Sequence, residues 1–77
     1  MAAWKRRKSG ASVARLGHGL DLLVWREEIE RLPEGAPKYN MSVFGQHLET
    51  RATTEGEGRH RAEAVSRSWL SEARLAL

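Results

Sequence analysis

The clearest pattern of apolar and polar positions lies in the last third of the chain. Apolar residues recur there at steps of three and four, the spacing that places side chains on one face of a helix. This stripe consists of Ala62, Val65, Trp69, Ala73 and Ala76. Residues 54–57 read Thr-Glu-Gly-Glu, a capping box in which the threonine caps the first turn and the second glutamate reaches back. The pattern therefore predicts a helix that begins after Thr54 and buries one face.

Before this helix the apolar and polar residues alternate, which is typical of strands. The alternation predicts strands at 11–16, 20–26, 39–44 and 47–53, with glycine-containing turns after the first and the third. In 20–26 the apolar spacing also fits a helix, so this alternative stays open beside the preferred strand. Residues 27–38 contain two prolines and a glycine and are predicted to form a long charged connection.

The alternation also assigns the strand residues to two faces. The face predicted to lie under the helix contains Leu20, Leu22, Val24, Tyr39, Met41, Val43, Leu48, Thr50 and Ala52. The opposite face is mostly polar, yet it keeps three large apolar residues, Leu23, Trp25 and Phe44. The predicted fold is α+β: a small antiparallel β-sheet of three to four strands with one C-terminal α-helix packed on one face.

Length and composition limit what such a chain does. Its 77 residues are enough for one domain with a modest core, which we predict at 11–77, preceded by a flexible basic arm at 1–10. The chain has no cysteine, so disulfides and thiolate metal sites are excluded. The longest apolar run is four residues, 22–25, far short of a membrane span. We therefore expect a cytoplasmic protein without a membrane partner.

Charge is distributed unevenly along the chain. Residues 1–18 carry five cations and no acid, residues 19–37 carry five acids and two cations, and the remainder carries six cations and five acids. The net charge of +3 therefore combines a basic N-terminal segment with an acidic middle. Such asymmetry suggests that the two segments face different partners or each other.

No pattern in the sequence predicts catalysis. The three histidines, His18, His47 and His60, are not spaced as metal ligands, and no P-loop or nucleophile elbow is present. We therefore expect no metal, no cofactor and no enzyme activity.

The outward apolar residues form the first candidate site. Leu23, Trp25 and Phe44, with Arg51 and Arg15 as neighbours, are predicted to bind a partner, since Trp and Arg are common interface hot spots. In the alternative, Trp4 or the 27–37 connection covers this face and makes it a second small core.

The basic residues form the second candidate site. A nucleic-acid-binding module is predicted to contact phosphates through the arm and the helix. Its residues are Lys5, Arg6, Arg7, Lys8, Arg59, Arg67 and Arg74. In the alternative, the arm is a solvated tail and part of the helix charge is intrahelical.

Three segments carry a resemblance to known proteins: 19–26, 39–45, and the stretch from Thr53 to Ala64 that opens the helix. Their order resembles compact accessory proteins of phages and mobile elements, among them anti-CRISPR proteins. The resemblance implies a stoichiometric inhibitor that binds a host nucleic-acid-handling defence complex, such as a CRISPR effector complex. The basic alternative resembles double-stranded-RNA-binding domains in having a helix on one sheet face. Both a monomer and a homodimer that buries the outward face fit the sequence.

Overall fold

The computed structural model describes residues 3–28 and 31–76, with the side chains of 75 and 76 left out. In this part of the chain five strands and one helix form. The strands are β1 (Trp4–Arg6), β2 (Ser12–Arg15), β3 (Asp21–Arg26), β4 (Tyr39–Val43) and β5 (Gln46–His47), and the helix is α1 (Glu55–Ala76). All strands are antiparallel to their neighbours, in the order β1-β2-β3-β4-β5. The predicted α+β fold is confirmed, with more strands than the three to four expected.

The middle of the chain follows the prediction closely at β3 and less closely at β5. Residues 21–26 form a strand, so the helical alternative for this segment is excluded. The strand expected at 47–53 is reduced to Gln46–His47 and an isolated bridge between Ala52 and Tyr39. Leu48 still donates its amide to Met41, after which the chain bends toward the start of α1.

The N-terminal residues differ from the predicted arm. Trp4–Arg6 forms the edge strand β1 and pairs with Ser12–Ala14 of β2. Trp4 packs against the core, and its indole Nε1 donates to Glu63 Oε1 at 2.7 Å. Burial of a large ring offsets the tendency of the neighbouring cations to stay solvated. Residues 1 and 2 of the expected arm lie outside the described residues.

The helix begins as the capping box predicts. The Glu57 amide donates to the Thr54 hydroxyl at 3.1 Å, and the Glu57 carboxylate accepts from the Thr53 amide at 3.2 Å. The acidic residues Glu55 and Glu57 occupy the first turn, where the helix dipole favours them. Two backbone amides at the start of α1 therefore have side-chain hydrogen-bond partners.

The core lies between α1 and the sheet. Its fully buried apolar residues are Ala14, Leu22, Val24, Met41, Val43, Ala52 and Ala62, which confirms most of the predicted face. Thr50 is exposed, contrary to prediction, because no strand forms at this position. On the helix, Val65 and Trp69 are half-buried and Ala73 is exposed, while the Ala76 side chain lies outside the described residues.

The exposure of Ala73 follows from length. The 22 residues of α1 span about 33 Å, whereas the six residues of β3 span about 20 Å. The last turns of the helix therefore extend beyond the sheet. The molecule is correspondingly elongated, with extents of 45 × 24 × 19 Å.

Two helical glycines allow a matched test of the contact between α1 and β3. A Cβ at Gly58 would lie 2.9 Å from Val24 Cγ1, whereas a Cβ at Gly56 would meet nothing within 4 Å. We expect Gly56→Ala to raise the free energy of unfolding by up to about 1 kcal/mol through helix propensity. Gly58→Ala should lower it by about 1–3 kcal/mol, because the stiff Val24 side chain must move. Urea unfolding curves measure both, and equal stabilisation by the two substitutions would contradict the close contact.

Candidate binding face of the sheet

The strand register defines a face turned away from the helix. Leu23 lies opposite Val13 on one side and Ser42 on the other, and Lys5 and His47 continue this row. Paired residues share a face, and the adjacent row, which contains Ala14 and Leu22, is buried under the helix. We call the opposite side the outer face. It consists of Lys5, Val13, Arg15, Asp21, Leu23, Trp25, Asn40, Ser42 and His47.

Val13, Leu23 and Trp25 form an apolar centre on the outer face. All three are half-buried. The Trp25 ring lies 4.9 Å from the His47 ring, centroid to centroid, at an angle of 48°. Within the described residues, none of the three belongs to the clusters beneath the helix, and Trp4 lies on the helix side rather than over them. Among the described strands and helix, close backbone contacts occur only between neighbouring strands and between α1 and the strands β3 and β4. Because α1 packs on the opposite face, none of these elements crosses over the three residues.

Phe44 does not belong to the outer face, which corrects the prediction. It lies in the turn between β4 and β5 with a φ of 53°, followed by Gly45 with a φ of 83°. Its ring packs against the core and lies 6.0 Å from the Trp69 ring. Turn residues in the left-handed region do not continue the strand alternation, so Phe44 reaches the helix side.

The two arginines predicted as neighbours of the apolar centre, Arg15 and Arg51, each lie beside an acid. Arg15 Nε lies 3.1 Å from Asp21 Oδ1, yet the arginine side chain is 70% exposed. Arg51 donates from Nε to Asn40 at 3.3 Å and lies 3.4 Å from Glu27 at Nη2. The outer face therefore has an apolar centre and a charged border that keeps cations within reach of a partner.

Two of the predicted nucleic-acid contacts instead hold the fold together. Arg6 Nη2 donates to both Glu55 carboxylate oxygens at 2.8 and 2.7 Å, and Arg59 Nη2 lies 3.0 Å from Glu55 Oε1. The Ser12 hydroxyl donates to the same carboxylate and accepts from Arg59. The Arg59 guanidinium also lies 5.5 Å from the Trp4 ring centroid. This Glu55 cluster joins β1, β2 and α1, so Arg6 and Arg59 are removed from the candidate site.

The hydrogen bonds in the cluster favour the ionised form of Glu55. The Ser12 hydroxyl, followed by the Arg6 guanidinium, lowers the pKa of Glu55 below its ordinary value of 4.5, although partial burial opposes this. Removing the carboxylate charge therefore weakens the attachment of β1 to the helix.

The remaining predicted cations lie in two separate places. Lys5, Arg7 and Lys8 are exposed on β1 and the turn that follows it, whereas Arg67 and Arg74 are exposed on α1. The set expected to act together therefore forms no single surface. We call Lys5, Arg7 and Lys8 the turn cations. They adjoin the outer face, because Lys5 lies in its central row.

A notch at the end of β3 was not predicted. It is a cavity of about 730 Å³ whose lining includes Ser9, Gly10, Trp25, Arg26 and Tyr39. The registered pairing of β2 with β3 ends at Ser12 and Val24, so the last residues of β3 lie beside the β1–β2 turn instead of a strand. In the sequence, Gly10 signals only the turn between β1 and β2, in which its φ is 93°.

In the part of the chain that the structure describes, no group of three or more His, Asp or Glu side chains is placed to hold a metal ion. In the described residues, no helix is both long enough and apolar enough to cross a membrane.

Comparison with protein-family models, curated proteins and solved structures finds no match to this chain. Its function must therefore be inferred from its own residues.

The Glu55 cluster predicts a dependence of stability on pH. Because folding lowers the pKa of Glu55 from its ordinary value of 4.5, its stabilising effect is complete above that value. The effect is lost as the pH falls through the lower folded value. Glu55→Gln should lower the free energy of unfolding at pH 7 by about 1–3 kcal/mol and by less at pH 3. Urea titrations at both pH values measure this.

Glu72→Gln provides the matched control, because Glu72 is exposed near the other end of the same helix. It should leave the profile close to that of the unsubstituted protein. A pH profile of Glu55→Gln that runs parallel to the unsubstituted one would show that the cluster contributes nothing through its charge.

Proposed function

We propose that the protein is a non-enzymatic binding module that captures a partner protein on its outer face. The observation that supports this most directly is the apolar centre of Val13, Leu23 and Trp25 on the side opposite the helix. An apolar centre with a charged border is the usual arrangement of protein interfaces. The face and its charged border also carry Trp25, Arg15 and Arg51, and tryptophan and arginine are among the residue types that most often dominate the binding energy of protein interfaces.

In its specific form, the proposal is a stoichiometric inhibitor that occludes a surface of a host nucleic-acid-handling complex, as an anti-CRISPR protein does. It draws on the resemblance of segments 19–26, 39–45 and 53–64. Binding by occlusion needs a complementary surface and no reacting group, which the outer face can provide. The loss of Phe44 from this face leaves Trp25 as its central aromatic residue.

A test of the specific form is phage survival. Cells that carry a CRISPR system and express the chain should be infected by a phage that the system otherwise excludes, and Trp25→Ala should restore exclusion. The comparison is made across several CRISPR types. If expression protects the phage against none of them, the inhibitor role is excluded, while capture of another protein is tested separately as follows.

Substitution of the apolar centre tests capture itself. We expect Trp25→Ala to lower the affinity for the captured protein at least about tenfold, as for an interface hot spot. Leu23→Lys, which places a charge in the centre of the patch, should do the same. Capture from nuclease-treated host lysate, followed by titration with the purified partner, measures both effects.

Leu70→Ala is the matched control, because Leu70 is a large apolar residue that is 36% exposed on the helix. It should leave capture unchanged, and circular dichroism should show all three variants folded. Capture that survives both outer-face substitutions would overturn the proposal. Light scattering distinguishes a second copy of the chain as the occupant of this face, since Leu23→Lys would then convert a dimer to a monomer.

A further inference from the structure

We infer that the β1–β2 turn and the adjoining notch form a site for single-stranded nucleic acid, with phosphates on the turn cations and one base beside Trp25. This goes beyond the protein partner proposed above, whose binding face shares Trp25 and Lys5 with this site. The site retains three cations of the predicted nucleic-acid surface, Lys5, Arg7 and Lys8, and adds a cavity that the sequence did not reveal.

The turn cations are available to an anion. Lys5, Arg7 and Lys8 are exposed and make no ion pair within the described residues, whereas Arg6 and Arg15 each face a carboxylate. Consecutive cations on a turn neutralise neighbouring phosphates and release their counterions, which drives binding at low salt. The internal ion pairs thus leave a local excess of positive charge on this turn.

The backbone connects these cations to the notch. The Arg7 amide donates to the Ala11 carbonyl at 2.8 Å, and Ala11 lines the notch together with Trp25. The registered pairing of β2 with β3 begins one residue further along, at Ser12 and Val24. A nucleic-acid strand that places its phosphates on the turn can thus direct a base into the gap beside Trp25.

The notch has the dimensions and groups to receive that base. Its volume of about 730 Å³ lies within the range of ligand sites. Trp25 on the outer face and Tyr39 on the helix side both line it. An aromatic residue is therefore available on each side of the sheet for stacking, which is tolerant of base identity. Arg26 and Glu28 also line it, one able to donate to a base carbonyl and the other to accept from a base amino group.

Two of the carboxylates that line the notch are paired with arginines, which reduces their repulsion of a nucleic-acid strand. Glu55 is neutralised by Arg6 and Arg59, and Glu27 faces Arg51. Glu28 makes no ion pair within the described residues, and its charge faces the base rather than the phosphates in this arrangement. A base paired within a duplex cannot enter the notch, so the site should discriminate against double strands.

Two matched double variants test the phosphate contacts. Fluorescence anisotropy with a labelled mixed-sequence 12-nucleotide DNA strand should show binding with a salt slope of about −2 for three phosphate contacts. Arg7→Gln with Lys8→Gln should weaken binding at least tenfold and flatten the slope by about 1.4. Arg67→Gln with Arg74→Gln removes the same charge from the helix and should change binding less than twofold. Equal loss in both pairs, or no binding at low salt, would overturn the site.

The base contact is tested separately. The strand should bind at least about tenfold tighter than a hairpin duplex of the same length, and Trp25→Ala should remove most of this preference. In ¹⁵N–¹H spectra, deoxyadenosine monophosphate should shift the Trp25 indole signal, assigned with Trp25→Phe, while inorganic phosphate should not. Equal affinity for both forms of DNA, or equal shifts with both probes, would refute the base site.

Failure of the nucleic-acid site can be distinguished from failure of the proposed protein-binding function. Arg7→Gln with Lys8→Gln should leave nuclease-resistant protein capture intact, and Leu23→Lys should abolish capture while retaining DNA binding. If capture persists without DNA binding, this inference alone fails. If DNA binds and no protein is captured, the proposed function fails and the nucleic-acid site stands.

Discussion

Close contact between α1 and β3 determines which surface of this small fold is free. Gly58 and Ala62 are buried, and the space at Gly58 is too small for a Cβ without movement of Val24. Small residues let the helix lie directly over the central strands, so their apolar side chains are buried without a second layer. In the described part of the chain no other helix covers the opposite face. The outer face is therefore a consequence of how the core is built.

The Glu55 cluster determines which cations remain available. A single carboxylate accepts from Ser12, Arg6 and Arg59, which fixes the edge strand β1 against the helix. Without it, β1 would keep its pairing with β2 and the packing of Trp4, but Arg6 would lose its partner on the helix. With it, Arg6 points to the helix while Lys5 faces outward beside Val13. A contribution to stability thus also orders a basic surface.

The sequence predicted the parts of the fold that depend on local periodicity. The Thr54 cap and the buried alternation of β3 and β4 were predicted correctly, because a capping box and a strand period can be recognised from neighbouring residues alone. Phe44 was misplaced because a turn with positive φ interrupts the alternation. The β1 strand was missed because the consecutive cations after Trp4 are typical of a solvated arm. The contact that holds Trp4, its hydrogen bond to Glu63, joins residues 59 positions apart and leaves no local pattern in the sequence. The notch depends on where two strands separate, which periodicity does not record.

Trp25 connects the two proposed surfaces, and this limits how they operate together. It belongs to the apolar centre of the outer face and also lines the notch. A protein seated on the outer face covers the ring, whereas a base in the notch needs one side of it. The two ligands therefore compete unless each uses a different side of the indole. Competition couples their affinities reciprocally, so a partner that displaces nucleic acid is itself weakened by it. For a module that occludes a nucleic-acid-handling complex, such coupling would make its binding depend on whether that complex presents a free single strand.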